Sequence, residues 1–167
     1  MAWSLPDPPR AEPVLGDPAS LAALALALRR AAAEVEAARA ALDPTAIESR
    51  RHATRAKALR VRSAELTGSM LRVADGLADH SRTLSDAIAL ASRLVDRAGS
   101  AGLVVDGPTV GRGPGVQGVA DPAAEGSRTE AMRRLQQVLS VILLDLDTAR
   151  HRLRAELANE HRHIRNR

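Results

Sequence analysis

Residues 16–44 read GDPASLAALALALRRAAAEVEAARAALDP. Two Asp-Pro pairs bracket this stretch, and what lies between them sets the architecture. Asp17 can accept from the first free backbone N–H groups of a helix, and Pro18 suits the first helical position, where a missing N–H costs nothing. Leu21, Leu24, Leu28, Ala31, Val35, Ala38 and Leu42 then recur at spacings of three and four, an a/d seam flanked by Arg29, Arg30, Glu34, Glu36 and Arg39. Asp43 and Pro44 repeat the start signal, so Leu42-Asp43-Pro44 reads as the joint of a helical hairpin.

Beyond the joint, the spacing predicts a second helix over residues 44–97, roughly 80 Å long at the helical rise. Its seam carries Leu66, Met70, Val73, Leu77, His80, Leu84, Ala87, Ile88, Ala91 and Leu94, with Thr67-Gly68-Ser69 and Gly76 as points where it is expected to kink or break. A third helix is predicted from the S-x-x-E capping box of Ser127 and Glu130, ahead of Met132, Leu135, Leu139, Ile142, Leu146, Ala149 and Leu153. Val138, Val141, Leu143 and Leu144 widen its apolar face, so its middle is expected to be buried on more than one side.

Between these helices, residues 99–126 are rich in Gly and Pro, and "VDGPTV" is the one place where a small β-clip is expected. The expected organisation is a Pro-rich arm at 1–16 containing Trp3, a helical hairpin at 17–98, a Gly/Pro-rich connection at 99–126, a last helix of the same bundle at 127–160, and a fraying basic tail at 161–167. The fold class is therefore all-α: an antiparallel bundle of three long helices, with a long second helix and a loop or clip before the last. Composition agrees. The 167 residues are 45% hydrophobic with no Phe or Tyr, a supply of Ala, Leu and Val suited to close helix-on-helix packing.

Chemistry is sparse. With no cysteine, disulfides, thiolate metal sites and cysteine nucleophiles are excluded. GPGVQG matches G-x-G-x-x-G at Gly113, Gly115 and Gly118, but that fingerprint needs a parallel sheet to deliver it to a helix, and none is predicted. The five histidines lack i,i+4 spacing, Asp145 and Asp147 diverge on a helix, and no nucleophile and base converge. The chain is expected to be non-enzymatic, with no cofactor and no metal. His80 is expected to set register or hydrogen-bond across the bundle. The N-terminal segment predicts no Sec-type signal peptide, and no apolar run suffices for a membrane span; the expected location is the cytoplasm.

Charge is more informative. Arg50, Arg51, Arg55, Lys57, Arg60 and Arg62 follow one another with no acid between Glu48 and Glu65. Such a face suits an acidic partner. A basic helix running into leucines also fits a DNA-associated coiled-coil protein using residues 50–62, although that segment contains no Asn to read base edges and there is no aromatic platform to stack bases.

A short heptad helix, a tight turn, a long helix, AGLVVDG at 101–107, GVADP at 118–122 and a final helix together resemble the N-terminal helical modules of actinobacterial type VII secretion substrates, extended relatives of the Trp-x-Gly (WXG) hairpin family. The resemblance covers residues 16–158. At the family's turn this chain has Asp43-Pro44-Thr45 in place of Trp-x-Gly, and without Tyr it lacks the family's Tyr-based export signal. The resemblance implies a partner, adaptor or substrate of a type VII-like secretion or toxin system, pairing with another helical protein, a secreted effector or toxin, or a second copy of itself, with export by that route as the alternative to a cytoplasmic location. The expected partner seam is Leu66, Met70, Val73, Leu77, His80 and Leu84, beside the basic stretch.

Overall fold

The computed structural model describes residues 11–42, 50–113 and 122–165. It contains α1 (Pro18–Ala41), α2 (Arg50–Ser100), β1 (Leu103–Asp106), β2 (Thr109–Arg112) and α3 (Pro122–Arg165). The expected hairpin joint at Asp43-Pro44, most of the GPGVQG segment and Trp3 lie outside the described residues. The chain divides into two compact units, Asp17–Thr83 with Ala149–Arg167, and Met1–Gly16 with Leu84–Thr148.

The first is a three-helix unit. Asp17 caps α1 as expected, its carboxylate accepting from the N–H groups of Ala19 and Ser20 at 3.0 and 3.2 Å. α1 and α2 run antiparallel: the Ser81 hydroxyl donates to the Pro18 carbonyl at 2.7 Å, and further on Arg29 meets Asp75 at 2.8 Å. α2 and α3 are antiparallel too, with Arg72 against Glu160 and Gly76 against Leu153 and Glu156. Ala25, Ala74 and Leu77 form the core, packed by Leu21, Leu28, Val73, Ala78 and Leu153.

Two of the seven α1 seam positions, Leu24 and Ala38, are exposed and need correcting. Leu21, Leu28 and Val35 face inward, but the positions buried between them are Ala25 and Ala32, each 1% exposed, while Leu24 is 50% exposed. An alanine at the contact lets the helix axes approach, which a leucine there would prevent. α2 is also unbroken through Thr67-Gly68-Ser69 and Gly76. These residues sit on packed surfaces, Ser69 being 2% exposed, and tertiary packing outweighs weak local propensity.

The second is a clip-bearing unit. α2 ends where Ala101 and Gly102 donate back to Arg97 and Gly99, and Gly102 takes the left-handed φ of 68° common beyond helix ends. β1 and β2 pair antiparallel with Asp106 opposite Thr109, and Gly107 opens the two-residue loop at φ 52° ahead of Pro108, the geometry of a II′ hairpin turn. Leu103, Val105 and Val110 pack inward on one face of this clip, sharing the unit's core with Ala87, Ala91, Leu94, Leu139, Ile142 and Leu146. Gln136 of α3 holds the clip, accepting from the Val110 N–H at 2.7 Å and donating to the Pro108 carbonyl at 3.0 Å. Beside the clip, the Ala11 N–H donates to Asp106 and the Ala11 carbonyl accepts from Gly107.

α3 starts earlier and ends later than residues 127–160. It opens at Pro122, and the Ser127 hydroxyl donates back to the Ala123 carbonyl at 3.1 Å, a mid-helix bond rather than a cap. Asp121-Pro122 is the third instance of the signal that starts α1. At the other end the basic residues Arg162, His163 and Arg165 remain helical, where positive charge complements the carbonyl end of the helix dipole.

Candidate helix-binding groove

Five residues of α2 and two of α3 line an open depression of about 620 Å³ in the three-helix unit: Ala58, Val61, Arg62, Glu65 and Leu66 with His163 and Ile164. Its floor is apolar and accessible, with Val61 and Ile164 both 54% exposed and Leu66 42% exposed. Residues 58, 62 and 65 share one stripe of α2, and 61 and 65 the adjacent one, so the groove follows the helix axis. Extended backward, the same stripe carries Arg55 and Arg51.

The basic stretch therefore leads into the groove. Arg50, Arg51, Arg55, Lys57 and Arg62 are exposed, and Arg60 is half-buried. Glu36 is held below the usual carboxylate range mainly by its hydrogen bond from Arg39, with the nearby charges of Arg39 and Arg60 contributing.

Of the expected partner seam, Leu66 alone lies on this open floor. Met70 and Val73 are half-buried, Val73 against the core. Leu77 and Leu84 are 6% and 4% exposed, so an open seam there is not what the chain presents. Leu77 packs with Ala25 and Ala74. Leu84 belongs to the clip-bearing unit and lies where a side chain on Gly16 would be: a Cβ there would stand 2.8 Å from its Cδ2.

His80 is 9% exposed and its Nδ1 has no hydrogen-bond partner, so the expected cross-bundle bond from that atom is not formed. Burial pushes its pKa down from the ordinary imidazole value, and the Arg150 charge pushes the same way. Near the groove, Glu160 accepts from Arg72 Nε and Nη2 at 2.7 and 2.9 Å. Hydrogen bonds from Arg72 and then Ser69 lower the Glu160 carboxyl from its ordinary 4.5 to about 2. Asp145 and Asp147 are exposed. Among the described residues no group of His, Asp and Glu could hold a metal ion, and no helix is long and apolar enough to cross a membrane.

Sequence reasoning missed His163 and Ile164, which fall in the tail expected to fray. Ile164 was visible only as the one large apolar residue in that basic run. No family model, curated protein or solved structure matches the chain.

Proposed function

We propose that this chain is a non-enzymatic helix-binding partner that seats an acidic amphipathic helix of another protein along α2 and the end of α3. The observation that carries this is the apolar floor of Val61, Leu66 and Ile164 continuing into the Arg51, Arg55 and Arg62 stripe. Apolar anchors at helical spacing give affinity in such an arrangement, and the flanking charges choose the partner. The order of elements, a short helix, a long helix, a clip and a last helix, supports the role implied by the resemblance: an adaptor or substrate in a type VII-like secretion or toxin system.

The test is co-expression with the helical N-terminal module of a neighbouring effector gene, followed by affinity measurement with purified components. Leu66→Glu and Ile164→Glu should each abolish binding, and Arg55→Glu with Arg62→Glu should weaken it and reduce its salt dependence. Binding indifferent to all four changes would sink the proposal. The exposed arginines favour one rival, DNA association. Tight duplex binding that falls steeply with salt and vanishes on charge reversal at Arg51, Arg55 and Arg62 would establish that rival instead.

A further inference from the structure

The middle of α3 is apolar on two sides. Leu139, Ile142 and Leu146 enter the core of the clip-bearing unit, at 0%, 7% and 2% exposed, whereas Val138, Val141 and Leu144 are 48%, 52% and 65% exposed. At about 100° per residue, Val141 and Leu144 lie on the side away from that core and Val138 on the flank, forming one stripe with Val141 at its centre. A helix apolar on opposite sides is normally covered on both.

The charges along this stripe identify what covers it. Arg134 and Gln137 stand at its N-terminal end, Arg134 with its Nε on Glu130 Oε1 of the same helix at 2.9 Å, and Asp145 stands at its C-terminal end. A parallel copy of the helix would set Asp145 against Asp145 and Arg134 against Arg134. An antiparallel copy, related by a two-fold axis through Val141, sets Leu144 opposite Val138 and Asp145 opposite Gln137, with Arg134 of one chain within a turn of Asp145 of the other. The stripe is complementary to itself, as a two-fold interface requires. It lacks the one-sided positive charge of the groove, which selects against a second copy there. We propose that two copies of this chain associate antiparallel through Val138, Val141 and Leu144 of α3, independently of the groove.

The experiment is sedimentation velocity of the full chain across a concentration range, paired with cross-linking. A dimer is expected, and Val141→Glu should raise its dissociation constant about tenfold or more; because Val141 is exposed in the single chain, helicity by circular dichroism should be unchanged. Asp145→Arg should weaken the dimer, and adding Arg134→Glu in the same chain should restore it. Since the chain has no cysteine, Val138→Cys and Leu144→Cys variants can be mixed with a short bismaleimide: the antiparallel pairing yields 138-to-144 products in preference to either homotypic one. A monomer at every concentration, a dimer unmoved by Val141→Glu, or homotypic cross-links would each overturn the proposal.

Discussion

Arg72 and Glu160, 88 residues apart, meet in a two-pronged ion pair: Nε and Nη2 donate to Oε1 and Oε2 at 2.7 and 2.9 Å. The carboxylate side chain is 17% exposed and the guanidinium 56%, so solvent screens the pair from one side only. Glu160 ionises more readily folded, at about 2, than its ordinary 4.5. Its contribution is therefore complete above the unfolded value and is lost as pH falls from there through the folded one. Glu160→Gln should lower stability at neutral pH by about 1 kcal/mol, a figure kept small by the exposure of Arg72. Denaturant titrations of both proteins at decreasing pH should converge near the folded value; a constant gap would mean the carboxylate charge is not what matters.

His80 acts in the same direction, in a higher pH window. Its folded pKa lies below the ordinary 6.5, so the unfolded chain takes up a proton first. Stability from this site is complete above 6.5 and falls as acid protonates the unfolded state and then forces charge onto the buried ring. Asp79, Arg152 and Glu156 line the same depression as the ring. His80→Leu should flatten the stability profile between about pH 7 and pH 5, with little loss at the upper end because the unpartnered Nδ1 goes too. Thermal melts at stepped pH measure this.

Two glycines should respond to alanine with opposite signs. Gly16 has φ 152°, and its new methyl would meet Leu84, 4% exposed and without room to swing away; Gly16→Ala should cost about 1–3 kcal/mol. At Gly76 the methyl would meet the Oε2 end of Glu156 at 2.7 Å, an exposed and flexible group, with Leu153 at an ordinary 3.4 Å. Gly76→Ala should gain about 0.5 kcal/mol from helix propensity. Urea unfolding of the two variants tests the contrast.

Leu139, 0% exposed beside Leu146 and Ile142, is the most enclosed large side chain of the clip-bearing unit. Leu139→Ala should destabilise by about 3 kcal/mol, while the exposed Leu144→Ala should change monomer stability by less than about 0.5 kcal/mol. Hydrogen exchange of the clip amides, read with the melting curves, tells whether the loss falls in this unit.

The architecture was legible where one residue carries one unambiguous cost. Asp17-Pro18 starts a helix because nothing else suits that pair so well, and Gly107-Pro108 permits one kind of hairpin. It was less legible where residue size misleads. Weighting leucine made Leu24 a contact, although close approach needs Ala25 and Ala32 there. Ser127 and Glu130 read as the start of the last helix, although α3 opens five residues earlier at Pro122. At the groove, Arg62 and Leu66 were visible along α2. Ile164 was not, because its meeting with residue 61 is fixed by antiparallel packing a hundred residues away rather than by any local period.

The Arg72–Glu160 pair also orders events during synthesis. The three-helix unit takes its last strip from residues 149–167, whereas residues 84–148 of the clip-bearing unit precede it on the ribosome. Arg72 thus waits through 88 further residues for its partner, on the order of ten seconds at ordinary elongation rates. Throughout that interval the face of Val73 and Leu77 has α1 on one side and no α3 on the other. For those seconds the nascent chain leaves open the apolar strip of α2 that Leu153 of α3 later covers.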